Sequence, residues 1–391
     1  MKKLAVLIPD FFWSSIPYDG LSLFLHLRKT FPVDLLMFGT DIRLNKVFRK
    51  RDRYYFDVNK FRIPELIQLR TWEDFIDITK NYSLVISSLH LTPKGRLPDL
   101  GLAEGQYFPS LLHCKLMAVD IGGSDLLLAR HRFHYFCVKG PIWKQWMALL
   151  GVPEENIFVT GSPHYDPYQY ADKMDPKKGR PLDSGSFSSK YNIKYPYILV
   201  TPCNPKSHKE QFQNNLRELK EVCKIAKQRN YEVLLKTYPN DYVFYESADY
   251  PFFGNTGEYT GIYRRLYVDE MPQYEYIKKY FPKVKLVDSQ DHFSALLYAD
   301  KLFNMSGSHI AWETYFTKCY SYSINYENQP YYSGAPYLAP FIKLPDKEVN
   351  INVKKAAEIF DPNLTCSKNC EDYFSKEFSL ENIKKVVEKL L

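Results

Sequence analysis

The chain has 391 residues, 45% hydrophobic and 25% charged, with a net charge of +7. This balance excludes a disordered chain, and the length exceeds one ordinary core and suits two α/β domains of roughly 200 residues each. Lys and Arg are scattered along the chain and not gathered on one face, which argues against a nucleic-acid partner, and no run of about 18 apolar residues exists to cross a membrane.

In chain order, Leu4–Ile8 reads as a buried strand that ends at Pro9-Asp10. At five apolar residues it is too short for a signal-peptide core, so a cytoplasmic protein is expected. Leu21–Thr30 reads as a helix and Leu35–Phe38 as a second strand, the start of a parallel sheet. Residues 41–62 are polar and read as a hairpin excursion. Their run Arg49-Lys50-Arg51-Asp52-Arg53 reads either as a solvated loop or as a contact for anionic lipid at the inner membrane face or for a charged acceptor. A helix over Thr71–Lys80 and strands at Ser83–Ser87, Lys115–Val119 and Phe133–Lys139 follow. The helix Ile142–Leu150 stops at Gly151, and the strand Ile157–Thr160 ends at Gly161-Ser162-Pro163. These elements give a first domain over residues 1–165.

Residues 166–190 hold Pro, Lys, Gly, Ser and Asp with few apolar groups and read as a linker. The alternation restarts in a second domain over 191–378. Strands are expected at Tyr197–Thr201, Glu232–Lys236, Val284–Val287, Lys301–Met305 and, as the last, Cys319–Ile324. Helices are expected at Gln211–Arg229, Phe293–Tyr298 and Ser308–Phe316. A terminal helix, 379–391, has Ser379 as its expected N-cap, and it can pack back on the first domain. Seven cysteines include a Cys366-x3-Cys370 pair with no second pair nearby, short of the four ligands a structural zinc site takes. They read as free thiols of a reducing compartment.

Chemistry concentrates in the segment Val284–Tyr320. There a strand delivers Asn304-Met305-Ser306-Gly307-Ser308 and a helix begins at once. Gly307 lets backbone approach a ligand, Ser306 and Ser308 offer hydroxyls, and free N–H groups at a helix start attract an anion. Glu313, on that helix, is placed to accept from two ribose hydroxyls, as acidic residues do in other nucleotide sites. A serine-capped packing helix with Glu313 as surface charge accounts for the same residues equally well.

Two stretches in this order resemble the GT-B superfamily, which includes glycosyltransferases, UDP-N-acetylglucosamine 2-epimerases and CDP-glycerol glycerophosphotransferases. Gly151–Gly161, GVPEENIFVTG, matches the end of that superfamily's first domain nearly verbatim. Ile198–Asn204, then Lys236-Thr237-Tyr238-Pro239, then Ala299-Asp300 through Glu313 follow the order of its second domain. The resemblance covers roughly residues 115–325. It implies an α/β fold of two Rossmann-like, doubly wound domains facing a central cleft, with a nucleotide-activated sugar as substrate, a glycan or lipid-linked acceptor, and neither cofactor nor metal.

The departures rank the members. Val119-Asp120-Ile121-Gly122 stands where epimerases carry V-E-A-G, but Pro202-Cys203-Asn204-Pro205 lacks their histidine, and Ser306-Gly307-Ser308 is followed by only Glu313. The glycerophosphotransferase H-G-T motif has no match, and Tyr238 replaces a histidine, although His113, His134 and His309 are present. A metal-independent glycosyltransferase of capsule or lipopolysaccharide synthesis leads, because it asks least of particular residues. A CDP-polyol phosphotransferase comes second, and an epimerase-like enzyme or an inactive scaffold third. Thr201, Lys236, Arg264, Ser306, Gly307, Ser308 and Glu313 are the expected donor contacts. Asp120 and His309 are the expected catalytic groups, with Gly122-Gly123 giving a sugar room beside Asp120. Asp10, Asp19, Gly161 and Ser162 are expected along the cleft, where each carboxylate reads equally as a solvated cap.

Overall fold

The structure, a computed structural model, describes residues 3–8, 15–38, 63–69, 72–88, 108–122, 133–174, 180–201, 209–236, 267–268, 271–272, 278–288, 291–305, 310–324 and 346–391. The chain divides into two compact units. The first runs to Arg180 and is completed by Glu371–Leu391, and the second lies between Pro181 and Cys370. The expected hairpin at 41–62, with Arg49–Arg53, lies outside the described residues.

The first unit contains β1 (Leu4–Ile8), α1 (Ser15–Leu27), β2 (Val33–Phe38), β3 (Leu66–Leu69), α2 (Trp72–Ile78), β4 (Leu84–Ser88), β5 (Lys115–Ile121), β6 (Tyr135–Val138), α3 (Pro141–Leu149), β7 (Ile157–Val159) and α4 (Asp166–Gln169). Its seven strands are all parallel, in the order β3-β2-β1-β4-β5-β6-β7. The sequence explains why. Every residue of β1, Leu-Ala-Val-Leu-Ile, is buried, and such an unbroken apolar run belongs to a sheet covered on both faces, which is how parallel sheets are built. Leu4, Val6 and Ile8 meet one core with Leu21, Phe24 and Leu27 of α1 and with Leu380, Ile383 and Val387 of the terminal helix Ser379–Leu390.

Ser379 is the first residue of that helix and not its N-cap. The capping acceptor comes from 213 residues away, because Asp166 takes the Ser379 N–H at 3.1 Å and its hydroxyl at 2.7 Å, and the Leu380 N–H at 3.2 Å. Within the stretch expected as a linker lie α4, a 3-10 turn at Ala171–Lys173 and the start of the helix Ser184–Tyr191.

The second unit contains α5 (Ser184–Tyr191), β8 (Tyr197–Thr201), α6 (Lys209–Gln228), β9 (Glu232–Lys236), a two-stranded ladder of β10 (Tyr267–Val268) and β11 (Met271–Pro272), β12 (Lys285–Val287), α7 (His292–Leu297), β13 (Lys301–Asn304), α8 (Ile310–Glu313), β14 (Tyr320–Ile324), α9 (Asp346–Val349) and β15 (Asn350–Val353). Its main sheet is parallel, in the order β12-β9-β8-β13-β14-β15. Counted along the chain, that is 3-2-1-4-5-6, the order of a dinucleotide-binding Rossmann sheet. Leu219, Val222 and Ala226 of α6 pack on Ile198, Val200, Val233 and Leu235.

Besides the short β10–β11 ladder, the strands absent from the sequence reading are β3 and β15, and both sit at edges of the two main sheets. Each is four residues long, and the Asn-Ile-Asn-Val of β15 alternates polar and apolar, which hides an edge strand from a search for buried runs. The last strand is therefore β15 and not Cys319–Ile324. Among the described residues, no helix is long and apolar enough to cross a membrane. The described cysteines are free, and burial pushes the Cys114 and Cys137 thiols up to about 12, away from thiolate chemistry.

Candidate functional site

In a doubly wound sheet a ligand sits outside the carboxyl ends of the strands, where the strand order reverses. In the second unit that point lies between β8 and β13, whose last residues, Thr201 and Asn304, are register partners. Thr201 is 1% exposed and Asn304 2%. The Thr201 hydroxyl donates to Asn304 Oδ1 at 3.0 Å, the Met305 N–H to the Thr201 carbonyl at 3.0 Å, and the Ser323 hydroxyl to the Asn304 carbonyl at 2.9 Å. Thr201 therefore lies at the switch point of the sheet, with its hydroxyl committed to Asn304. Lys236 ends the neighbouring strand β9 on the same edge, half-buried.

From β13 the chain returns through α8, which carries Glu313. The surface-charge alternative for Glu313 does not hold. It is 6% exposed, and its Oε2 lies 2.8 Å from Nε2 of His292, itself 5% exposed. Two such groups stay buried only as partners. His292 opens α7 after β12, and the sequence reading passed over it. Its one signal is position, in Asp288-Ser-Gln-Asp-His just past a strand end. Nearby, Asp291 is held by Lys190 and by the Tyr191 hydroxyl. Burial, with Asp291 beside it, pushes the Tyr191 phenol well above its ordinary range.

Among its described residues, the helix expected over Ser308–Phe316 is α-helical over Ile310–Glu313 and continues as a 3-10 turn, Thr314–Phe316. The Thr314 hydroxyl bonds back to the Ala311 carbonyl at 2.6 Å, the kind of local bond that competes with a regular helix. So short a helix carries little macrodipole with which to attract an anion. Arg264 and Ser306, Gly307, Ser308 and His309 lie outside the described residues.

In the first unit the carboxyl edge gathers Asp120, Lys139 and Ser162. Asp120, near the end of β5, has φ of 66° at a register shift in the β5–β6 pairing. A non-glycine residue in this left-handed region is uncommon, and aspartate tolerates it better than most. The Ser162 hydroxyl donates to Asp120 Oδ1, and Lys139 Nζ lies 3.5 Å from the same oxygen. Lys139 is 8% exposed and stands 5.6 Å over the Tyr165 ring. Sequence reasoning missed it because it looked like the charged end of a strand.

Gly122 does not make room for a sugar. A Cβ placed there would lie 3.0 Å from Lys139 Cδ and 3.3 Å from the Trp143 ring, so the glycine makes room for these two side chains. Gly161, at φ of 80°, turns the chain after β7, and its Cβ position faces Ser379 at 3.3 Å. Ser162 then reaches Asp120 from a buried position, 2% exposed. Asp10 and Gly123 lie outside the described residues, and Asp19 is described only as part of the α1 backbone.

His134 and His113, weighed for phosphotransfer, do not join this edge. The His134 Nδ1 accepts the Leu116 N–H at 3.0 Å, near the start of β5. The backbone of His113 donates to the Thr79 hydroxyl. His26 pairs with Glu381 of the terminal helix at 3.1 Å.

No family model matches this sequence, and no curated protein does. Solved structures do. The UDP-GlcNAc 2-epimerase of Methanocaldococcus jannaschii superposes with a TM-score of 0.56 over 99% of both chains at 14% identity. The UDP-GlcNAc 2-epimerase of Neisseria meningitidis bound to UDP-GlcNAc gives 0.53 at 10% identity, over 100% of this chain and 99% of that one. The wall teichoic acid polymerase TagF gives 0.54 at 11% identity, over 99% of this chain and 89% of that one. At such identities the likeness shows the fold: an α/β chain of two Rossmann-like domains, of the GT-B type.

Proposed function

We propose that this protein is a sugar-nucleotide enzyme, and specifically a metal-independent glycosyltransferase that moves a sugar from a nucleotide donor to a bacterial surface glycan. The observation that carries the reading is the second unit's switch point, where the strand ends Thr201 and Asn304 meet and the buried Glu313 stands on the helix that follows β13. A buried carboxylate held by an imidazole is pre-aimed, and it suits the paired hydroxyls of a ribose. Solved structures of this fold bound to UDP-GlcNAc or UDP support the choice of ligand class.

In this reading Lys236, Arg264 and the Ser306–Ser308 loop neutralise the donor diphosphate as it leaves, which is the work a metal does elsewhere. Asp120 acts at the acceptor. Its Oδ1 is held by Ser162 and Lys139, and Oδ2 is the oxygen assigned to take the proton of the acceptor hydroxyl as that hydroxyl attacks the anomeric carbon. The acceptor is a glycan or a lipid-linked glycan, reached at the cytoplasmic face of the inner membrane.

Isothermal titration with UDP-, CDP-, GDP- and CMP-sugars tests the first step, and the expected result is micromolar-to-millimolar binding of one base class. Binding of none sinks the proposal. A second reading, a UDP-sugar 2-epimerase, is favoured by the acid–base pair His292–Glu313. It predicts exchange of the sugar C2 proton in deuterated water without any acceptor, whereas a transferase leaves that proton in place. A CDP-polyol phosphotransferase separates from both by forming a phosphodiester.

A further inference from the structure

The Cys366-x3-Cys370 segment left unexplained by the sequence brackets Lys368, which has φ of 50°. The turn is held in place. The Lys368 N–H donates to the Glu348 carbonyl at 3.0 Å, the Ser367 hydroxyl to the Glu348 carboxylate at 2.5 Å, and the Cys370 N–H to the Lys368 carbonyl at 3.1 Å. From this turn the ammonium reaches the segment that begins with α8. Its Nζ lies 2.9 Å from the Thr314 carbonyl, 2.9 Å from that of Thr317 and 2.6 Å from that of Cys319. The same Nζ stands 4.5 Å over the Tyr320 ring.

An ammonium has three N–H bonds, and here three carbonyls face it. The Thr314 carbonyl also takes the Thr317 N–H at 3.1 Å, and the carbonyls of Thr317 and Cys319 follow the 3-10 turn Thr314–Phe316, so the ammonium ties the end of that turn to the segment leading into β14. The need is local. The helix α8 is four residues long, and a single turn does not support itself in water. Its direction must come from outside, and Glu313 is its last residue.

We propose that Lys368 is a positioning residue of the second unit's nucleotide site. It fixes the turn that carries Glu313, and with it the Glu313–His292 pair, without touching the nucleotide itself. The proposal rests on the reading of Glu313 as a nucleotide contact.

The test is a double-mutant cycle with Lys368→Met and Glu313→Gln. The wild type, both single variants and the double variant are titrated with UDP, CDP, GDP and CMP as separate probes, well below their melting temperatures. Each single variant is expected to bind the preferred nucleotide about tenfold more weakly, and the double variant no more than about tenfold more weakly, because both changes act through one group. A lysine that only stabilised the fold would lower the melting temperature and leave the affinity of the folded protein unchanged. Wild-type affinity in Lys368→Met alongside weakened Glu313→Gln overturns the proposal, and so does an additive, about hundredfold loss in the double variant. If Lys368→Met does not fold, Lys368→Arg is titrated in its place and is expected to lose about threefold. Failure of both to fold overturns the proposal, since Lys368 then serves the whole unit. A wild-type chain that binds none of the four probes overturns the underlying functional reading, a result distinct from all of these.

Discussion

Replacing Asp166 with alanine removes the acceptor that holds the start of the terminal helix. Asp166 is 3% exposed, and its carboxylate takes two N–H groups and one hydroxyl from Ser379 and Leu380. Loss of a helix cap costs about 1–2 kcal/mol. The buried Ser379 hydroxyl also loses its partner, which adds about 1–3 kcal/mol. The expected total is about 2–5 kcal/mol.

Against this, Leu380, Ile383 and Val387 are each at most 3% exposed, and burial contributes about 1.5–3 kcal/mol for each. The helix therefore stays docked and the variant folds. For a unit of this size each kcal/mol moves the midpoint by about 2–4 °C, so differential scanning calorimetry should show a drop of roughly 4–20 °C. Asp166→Asn keeps one acceptor oxygen and should lose about half as much. A drop below about 2 °C for the alanine variant would refute the assignment of Asp166 as the cap of this helix.

Gly140 has extended backbone, so alanine there brings no backbone strain and its effect is purely steric. Its Cβ would lie 2.3 Å from the Tyr373 carbonyl. Gly140→Ala should therefore displace the 372–375 segment, which bonds to Ile142, Trp143 and Lys139, and lower stability by about 1–3 kcal/mol or more. A urea midpoint equal to wild type would refute the close approach. His134 gives a pH dependence. Burial, reinforced by Lys115, pushes it down from its ordinary 6.5 to about 4 in the fold. The unfolded chain takes up its proton near pH 6.5 and the folded chain only near pH 4, so this contribution is present above pH 6.5 and is lost as pH falls through that window. The urea midpoint should decline between those values, and His134→Gln should flatten the decline, whereas an unchanged slope would contradict the reading.

Much of the fold is legible in the sequence, because the cause is local. Runs such as Leu-Ala-Val-Leu-Ile at β1 and Tyr-Ile-Leu-Val-Thr at β8 are apolar throughout, all five residues of each are buried, and each ends on residues that stop a strand. Strand type and the repeated α/β alternation follow from them. Lys236, the last residue of β9, and Glu313, on the helix that follows β13, drew attention because ligands sit beyond the carboxyl ends of such strands.

The tertiary structure alone decided what depends on residues far apart in the chain. Glu313 is buried because His292, 21 residues earlier, pairs with it. Asp166 caps a helix 213 residues away, and Gly122 packs under Lys139 and Trp143. Asp120 stands at a left-handed bulge that no propensity announces. The 3-2-1-4-5-6 order, which places Thr201 beside Asn304, comes from pairing across 103 residues. Side-chain type is a property of the sequence, but partnership, burial and register are set by packing, and the site is built from those.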